Sequence, residues 1–495
     1  MMTEFGIMSV LPPVLAIILA LVTRQVYISL VAGIWLGWLV ISDWNILDGT
    51  IATIEGFVEV FRNPGNTRTI MFSALVGALL ILIQYSGGVK GFTSGIEKLL
   101  LKADAKREGK SRVVVELIAL ATGILLFIET SISSLTVGTL YRPVFDRLRI
   151  PREKLAYIAD SSSAPSSVLI PLNAWGAFIM GLLLAQGIEN PLRTMVSAMG
   201  YNFYPMLAIL MVFVVIISRK DFGPMARAEK RTRETGKLLN DGARPMVSDE
   251  ITSCEIKTGI TPRALNMILP LAVMIVMMLV TLAYTGWQEV GDPGSFWNHL
   301  GRSLGHGSGS SAVLYSVTAA ILAAMLLYRV QGILRIREMV GLILKGISEL
   351  MPLALLMMLA FSISNVCNSL GTGVYVAGIT EGWLSPALLP AIVFVLSSFI
   401  AFSTGTSWGT FAIMMSIAVP MATVHDSNLF LVVAAVMGGG VFGDHCSPIS
   451  DTTIISSMSS ASDHIDHVNT QLPYALLTGA ITTLLYLGLG FLLAG

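Results

Sequence analysis

Four carboxylates stand at Pro- or Gly-containing interruptions of otherwise apolar sequence: Glu129, Asp160, Asp444 and Asp451. An ionisable side chain at the centre of a membrane helix costs roughly 2.5–3.5 kcal/mol on insertion scales, so such acids mark ion paths and proton relays. Its charged form is poorly solvated there. It therefore holds a proton or trades that proton for a hard cation, and Na+ takes oxygen ligands as other hard cations do. Thr130, Ser131, Thr406, Ser407, Ser447, Asp444 and Asp451 form the expected Na+ shell. Ser133, Asp160, Ser163, Pro165, Asn173, Trp408, Thr452 and Glu129 complete the expected binding region.

Each of these residues has a plainer reading. A membrane Ser or Thr commonly bonds the carbonyl four residues back or a neighbouring helix. Asp444 and Asp451 suit N-caps of half-helices, and Asp160, before Ser161-Ser-Ser, is the one best read as a cap alone. His445 beside Asp444 is either titratable or a structural hydrogen-bonding group. His464 and His467 read as solvated loop residues, and Asn365 and Asn368 as caps at a helix end. Glycines 438–440, Gly443, Gly405 and Gly409 permit close backbone approach or unwinding, and simple helix packing explains the 438–440 run equally well.

The elements that must position these groups are membrane helices. The 495 residues are 54% hydrophobic and 13% charged, with a mean hydropathy of +0.75. Soluble domains carry about 25% charged residues, so composition alone indicates a polytopic membrane protein. Zero net charge argues against a nucleic-acid partner. Three distant cysteines without a CxxC suggest neither a disulfide framework nor a zinc site. The N-terminus lacks a basic n-region, so the first helix reads as retained.

Helices are expected at 5–22, 26–42, 69–86, 113–128 with 131–148, 153–188 (broken), 194–217, 264–285, 311–328, 346–366, 386–402 with 407–422, 428–459 (broken) and 470–494. Basic residues cluster in 87–112, 142–154, 219–263 and 329–345, which the positive-inside rule assigns to the cytoplasm. Both flanks of 113–148 are therefore inside, as a re-entrant hairpin with its tip at Glu129–Ser134 requires; two full spans with a polar turn outside are the alternative. Counting onward turns the second half upside down. Its hairpin tip, Thr406-Ser407, lies 276 residues after Thr130-Ser131, and Ser447-Pro448 lies 283 after Ala164-Pro165. The expected fold is thus all-α and polytopic: an inverted-topology repeat with two re-entrant hairpins and two broken helices. Residues 1–217 form the first repeat, 264–495 the second, and 218–263 a cytoplasmic linker, partly disordered or weakly helical and without chemistry. Paired discontinuous segments near the midplane point to the site of a secondary transporter.

Gly405-Thr-Ser-Trp-Gly-Thr410 and Gly438-Gly-Gly-Val-Phe-Gly-Asp-His-Cys-Ser-Pro-Ile-Ser-Asp-Thr-Thr453 resemble the signature of the NhaC-type sodium/proton antiporter family, of the ion transporter superfamily. The resemblance implies Na+ coupling, a binding core at Asp444, Ser447, Pro448 and Asp451, and an elevator-type movement in homodimers. Glu129-Thr-Ser and Ser162–Ser167 match the first-repeat motifs more loosely. The function expected is Na+/H+ antiport in the bacterial inner membrane, with Na+ and H+ as partners and no cofactor beyond the coupling ion. Na+-coupled carriage of a small organic solute, an amino acid or carboxylate, is the alternative; the hydroxyls, Asn173, Trp175 and Trp408 favour it. Buried acids without a buried basic partner favour the ion. Intramembrane proteolysis fails because Val441 stands where Gly-x-Gly-Asp needs its first glycine, so no enzyme is expected.

Overall fold

The computed structural model describes residues 5–23, 25–92, 94–95, 111–127, 130–171, 173–245, 257, 259–288, 295–380 and 385–493, and these contain helices and no strand. Ten helical stretches are long and apolar enough to cross a membrane. Helices α1 (Leu11–Thr23), α2 (Val26–Ile41), α3 (Ile46–Arg62) and α4 (Pro64–Tyr85) precede the first hairpin. Helix α3 is absent from the sequence expectation because it alternates acids with apolar residues. Its start is fixed by Asn45, whose side chain accepts from Leu47 N and Asp48 N. Asn63 repeats the device for α4, with Pro64 at the first helical position.

The first hairpin is α5 (Ser111–Leu125) and α6 (Thr130–Arg147). Its arms run antiparallel. Arg112 Nη2 donates to Arg149 O at 3.4 Å at the open end, and Ser133 Oγ donates to Gly123 O at 2.9 Å towards the tip. Glu129 lies outside the described residues.

The first break differs from expectation. Helix α7 (Arg152–Val168) runs unbroken through Asp160 and Pro165, and the chain leaves helical geometry only before α8 (Ala174–Ala185). Serine hydroxyls around the proline bond carbonyls of the neighbouring turns: Ser163 Oγ donates to Asp160 O (3.0 Å) and Ser166 Oγ to Ser162 O (2.5 Å). Asp160 is therefore a mid-helix residue, not a cap.

Helices α9 (Pro191–Met199) and α10 (Phe203–Ser218) lead to 218–263, where α11 (Gly223–Thr235) is well formed. The expectation of a partly disordered or weakly helical linker is corrected here. Lys154 Nζ, 5% exposed, lies 2.9 Å from Asp221 and 3.2 Å from Glu229, while Arg231 pairs with Glu153 at 3.0 Å. Removing one partner of a buried ion pair typically costs about 3–5 kcal/mol, so the linker is docked onto the start of α7, and Arg112 at the open end of the first hairpin pairs with Glu229 at 2.8 Å.

The second half comprises α12 (Leu265–Gly286), α13 (Phe296–His306), α14 (Gly309–Val330), α15 (Ile336–Leu370) and α16 (Thr372–Thr380). A second hairpin follows, α17 (Leu389–Thr404) with α18 (Ser407–Val424). An interrupted pair, α19 (Leu429–Cys446) with α20 (Asp451–Ser460), precedes the closing helix α21 (His464–Leu493). Asn365 and Asn368 lie inside α15, where Asn368 Nδ2 bonds Ala185 O at 3.0 Å, and Gly371 makes the cap. Helix α19 is the innermost element, with every side chain from Leu431 to Met437 fully buried. Glycines 438–440 serve this packing, Gly440 lying against the Phe411 ring.

Candidate functional site

The second hairpin turns at Gly405, whose φ of +70° is a left-handed conformation that glycine adopts without steric penalty. That turn sits on the second break, because a Cβ at Gly405 would lie 2.7 Å from Ile449 O. Across this junction Asp444, 2% exposed, is enclosed by donors. Ser407 Oγ donates to Oδ2 at 2.5 Å, Ser407 N to the same oxygen at 3.3 Å, and Ser450 Oγ to Oδ1 at 2.6 Å. Thr452 Oγ1 lies 2.9 Å from Ser450 Oγ. Asp444 therefore serves the N-terminus of α18, one helix away from the break, and not its own half-helix. Asp451 occupies the first turn of α20, the end of a helix that favours negative charge.

Ser447 makes a structural tie: its Oγ donates to Phe402 O at 2.7 Å. Ser450 was not singled out from the sequence. The signal was present, since it lies between Pro448 and Asp451, but only the turn of 447–450 aims its hydroxyl at Asp444.

In the first half, Asn173 caps α8 by accepting from Gly176 N (3.0 Å), and its Nδ2 donates to Ser167 O (2.7 Å) and Phe127 O (2.9 Å). It is 1% exposed and joins hairpin, break and α8, so it does not face a cavity as expected. Ser163 accepts from Ser134 (2.8 Å), which accepts in turn from Ser456 of α20 (3.2 Å). Serines of α6, α7 and α20 thus connect the two halves.

Both hairpin tips reach one cavity of about 370 Å³. Thr130 and Ser131 line it from the first hairpin, and Thr404, Thr406 and Trp408 from the second. Trp175 and Asp451 border it from the segments after the breaks, and α2, α4 and α15 close it with Gln25, Tyr27, Val76 and Glu349 among others. Trp175 and Trp408 meet with ring centroids 4.9 Å apart. Among the described lining residues Asp451 and Glu349 carry charge and none is basic. Pro165 does not line this cavity; it lies buried in α7.

Asp160 stands apart from the cavity lining, fully buried in α7. Its Oδ2 accepts from Gln471 Nε2 at 2.7 Å, and Gln471 Nε2 also donates to His445 O. His445 is structural in its contacts, bridging Ser161 Oγ (2.9 Å) and Tyr204 OH (2.8 Å). His467 is fully buried and His464 partly so, which corrects the expectation that both are solvated.

The sequence model of the Na+/H+ antiporter family matches residues 181–491. An uncharacterized protein of Haemophilus influenzae is 35% identical over 501 residues, 99% of this chain and 92% of its own length. A local match of 30% identity over 113 residues, 23% of this chain and 24% of the other, joins it to the malate-2H(+)/Na(+)-lactate antiporter of Bacillus subtilis. Among solved structures, the Alcanivorax borkumensis YdaH transporter superposes with a TM-score of 0.59 at 14% identity, covering 90% of this chain and 89% of that one. Neisseria gonorrhoeae MtrF gives 0.53 at 16% identity, covering 89% and 84%. At such identity the likeness is one of fold.

Proposed function

Because the chain belongs to the Na+/H+ antiporter family, an ion-coupled secondary transporter and not an enzyme, we propose that it exchanges Na+ for protons through the junction of Asp444, Ser407, Ser450 and Asp451. The observation that carries this reading is the buried Asp444 carboxylate, surrounded by hydroxyl oxygens and set behind a hairpin tip that lines an acidic cavity. Na+ needs several oxygens. Rotating the Ser407 and Ser450 hydroxyls turns their lone pairs towards the ion, while protonation of the carboxylate removes the charge that attracts it. Cation and proton then compete for one site, which is the requirement of antiport.

The proposal includes a bacterial inner-membrane location, supported by the basic clusters on one side, and a homodimer, supported by the family resemblance. Reconstitution into liposomes with an imposed Na+ gradient and a luminal pH dye tests it. Proton movement without any added solute is expected, and silence under a full Na+ gradient overturns it.

One observation favours a second reading. A cavity of about 370 Å³ walled by Trp175 and Trp408 exceeds what a bare ion occupies and suits a small organic solute. The partial likeness to a lactate- and malate-carrying antiporter supports this alternative. Na+-driven uptake of labelled amino acids or carboxylates, with no proton signal in their absence, would establish it.

A further inference from the structure

We propose that His464, Ser457 and His467 form a proton relay joining the basic face of the protein to Asp160; the proposal rests on the proton-exchange reading above. The basic face is the open end of the first hairpin, where Arg152 Nη1 donates to Ala461 O at 3.2 Å, three residues before His464. Asp160 lies eight residues into α7 from Arg152, about 12 Å along the axis at 1.5 Å per residue. The gap is bridged by three contacts, and a fourth anchors His464. His464 Nε2 lies 2.7 Å from Pro448 O, His464 Nδ1 3.0 Å from Ser457 Oγ, Ser457 Oγ 2.8 Å from His467 Nδ1, and His467 Nε2 4.0 Å from Asp160 Oδ2.

The hydrogen-bond inventory dictates where protons sit. Pro448 O can only accept, so His464 Nε2 carries a hydrogen. Gln471 Nε2 faces two acceptors, Asp160 Oδ2 and His445 O, which turns its Oε1 towards His467 at 2.9 Å and puts a hydrogen on His467 Nε2. Both imidazoles then present Nδ1 to the single hydroxyl of Ser457. That hydroxyl has one proton and can serve one nitrogen; the other Nδ1 needs a proton of its own. If Ser457 instead donates to Thr453 O, at 2.8 Å, both nitrogens need one. The three side chains are fully bonded only when they hold at least one excess proton. At the far end the buried Asp160 carboxylate is faced by the hydroxyls of Thr452, Thr453 and Ser456 as well as by Gln471, while its Oδ1 makes no hydrogen bond of regular geometry.

The transfer balances. His464 Nδ1–H gives its proton to Ser457 Oγ as the serine hydrogen passes to His467 Nδ1. His467, now doubly protonated, releases its Nε2 hydrogen to Asp160 Oδ2 after the ring closes the 4.0 Å gap. Asp160 then holds the proton as a neutral carboxylic acid, and the reverse sequence returns it to His464. The charged and titratable groups facing this path are Asp463 beside His464, Asp444 and Tyr204 near Asp160, and His445 near His467. Asp463 is held by backbone N–H groups of Arg244, Ile465 and Asp466, at 2.8, 2.9 and 3.0 Å.

The test compares two fluxes in proteoliposomes, Na+-driven proton movement and 22Na+/Na+ exchange, the second of which moves no proton. His467→Gln and His464→Gln should each lower proton movement on the order of tenfold or more, leave Na+/Na+ exchange within about twofold, and melt close to wild type. Imidazole in the medium should restore the His464→Gln variant, whose position is partly exposed. Proton movement that persists in both variants, or equal loss of both fluxes, overturns the relay. A wild-type protein that moves no protons overturns the exchange reading and the relay with it, a result distinct from variants that move protons as well as the wild type, which overturns the relay alone. Should His467→Gln fail to fold, His464→Gln and its rescue decide.

Discussion

At the scale of single residues, Asp444 and Asp160 show how one residue type serves two environments. Asp444 accepts three hydrogen bonds from the hairpin tip and the break, whereas Asp160 sits against Gln471 and His467 and makes one hydrogen bond of regular geometry, to Gln471. In the exchange proposed above, the first keeps a charge within reach of a cation and the second receives a proton. Asp444→Asn can place its amide oxygen towards the two Ser407 donors and its NH2 towards Ser450, whose hydroxyl re-aims at Thr452 Oγ1. Stability should therefore change by no more than about 1 kcal/mol, the net worth of an exchanged hydrogen bond. The charge that attracts Na+ is gone, so the Na+-dependent rise in melting temperature should vanish. Thermal unfolding in detergent across a Na+ series checks this; an undiminished rise would remove Asp444 from the site.

At the scale of elements, the site depends on helices pressed closer than ordinary side chains permit. A Cβ at Gly443 would lie 2.3 Å from Ser398 O and 2.4 Å from Phe402 N, both backbone atoms of α17 that cannot step aside. Gly443→Ala should push α19 from the hairpin arm and move Asp444, the next residue, away from Ser407. A loss of about 1–3 kcal/mol is expected for such overpacking, together with weaker Na+ binding. Gly488→Ala in α21, where nothing lies within 4 Å of the added carbon, is the control and should change neither. Melting temperature and Na+ affinity measured on both variants decide the point. Helix α11 acts at this scale too, because its ion pairs with Lys154 and Glu153 attach it to the start of α7 and its pair with Arg112 attaches it to the hairpin base, so the three should move together.

At the scale of the whole molecule, the two halves carry the same series, a hairpin followed by an interrupted helix, and converge on one cavity. If the halves are inverted, the hairpins open to opposite sides. With Cys254, Cys367 and Cys446 replaced by Ser, Arg147→Cys at the open end of the first hairpin should react with an impermeant thiol reagent from the cytoplasm only. Ser427→Cys, beyond the second hairpin, should react from the outside only. Labelling of both from one side would discard the inverted arrangement while leaving the fold as described.

The membrane class, the second hairpin and the second break were legible in the sequence, because each rests on local chemistry. Few charges and long apolar runs require a bilayer, Gly405 permits a left-handed turn, and Ser447-Pro448 cannot continue a helix. The same local logic failed at Pro165, which lies inside an intact α7, and at α3, whose acids hide a helix from a search for apolar runs. What no stretch of sequence could decide is which distant groups meet. Gln471 reaches Asp160 across 311 residues, and Ser456 reaches Ser134 across 322. A residue's type fixes what it can donate or accept. Its partner is chosen only when helices from the two halves pack, and for that reason the carboxylates could be placed at the breaks from the sequence while His467, read as solvated, could not be placed beside Asp160.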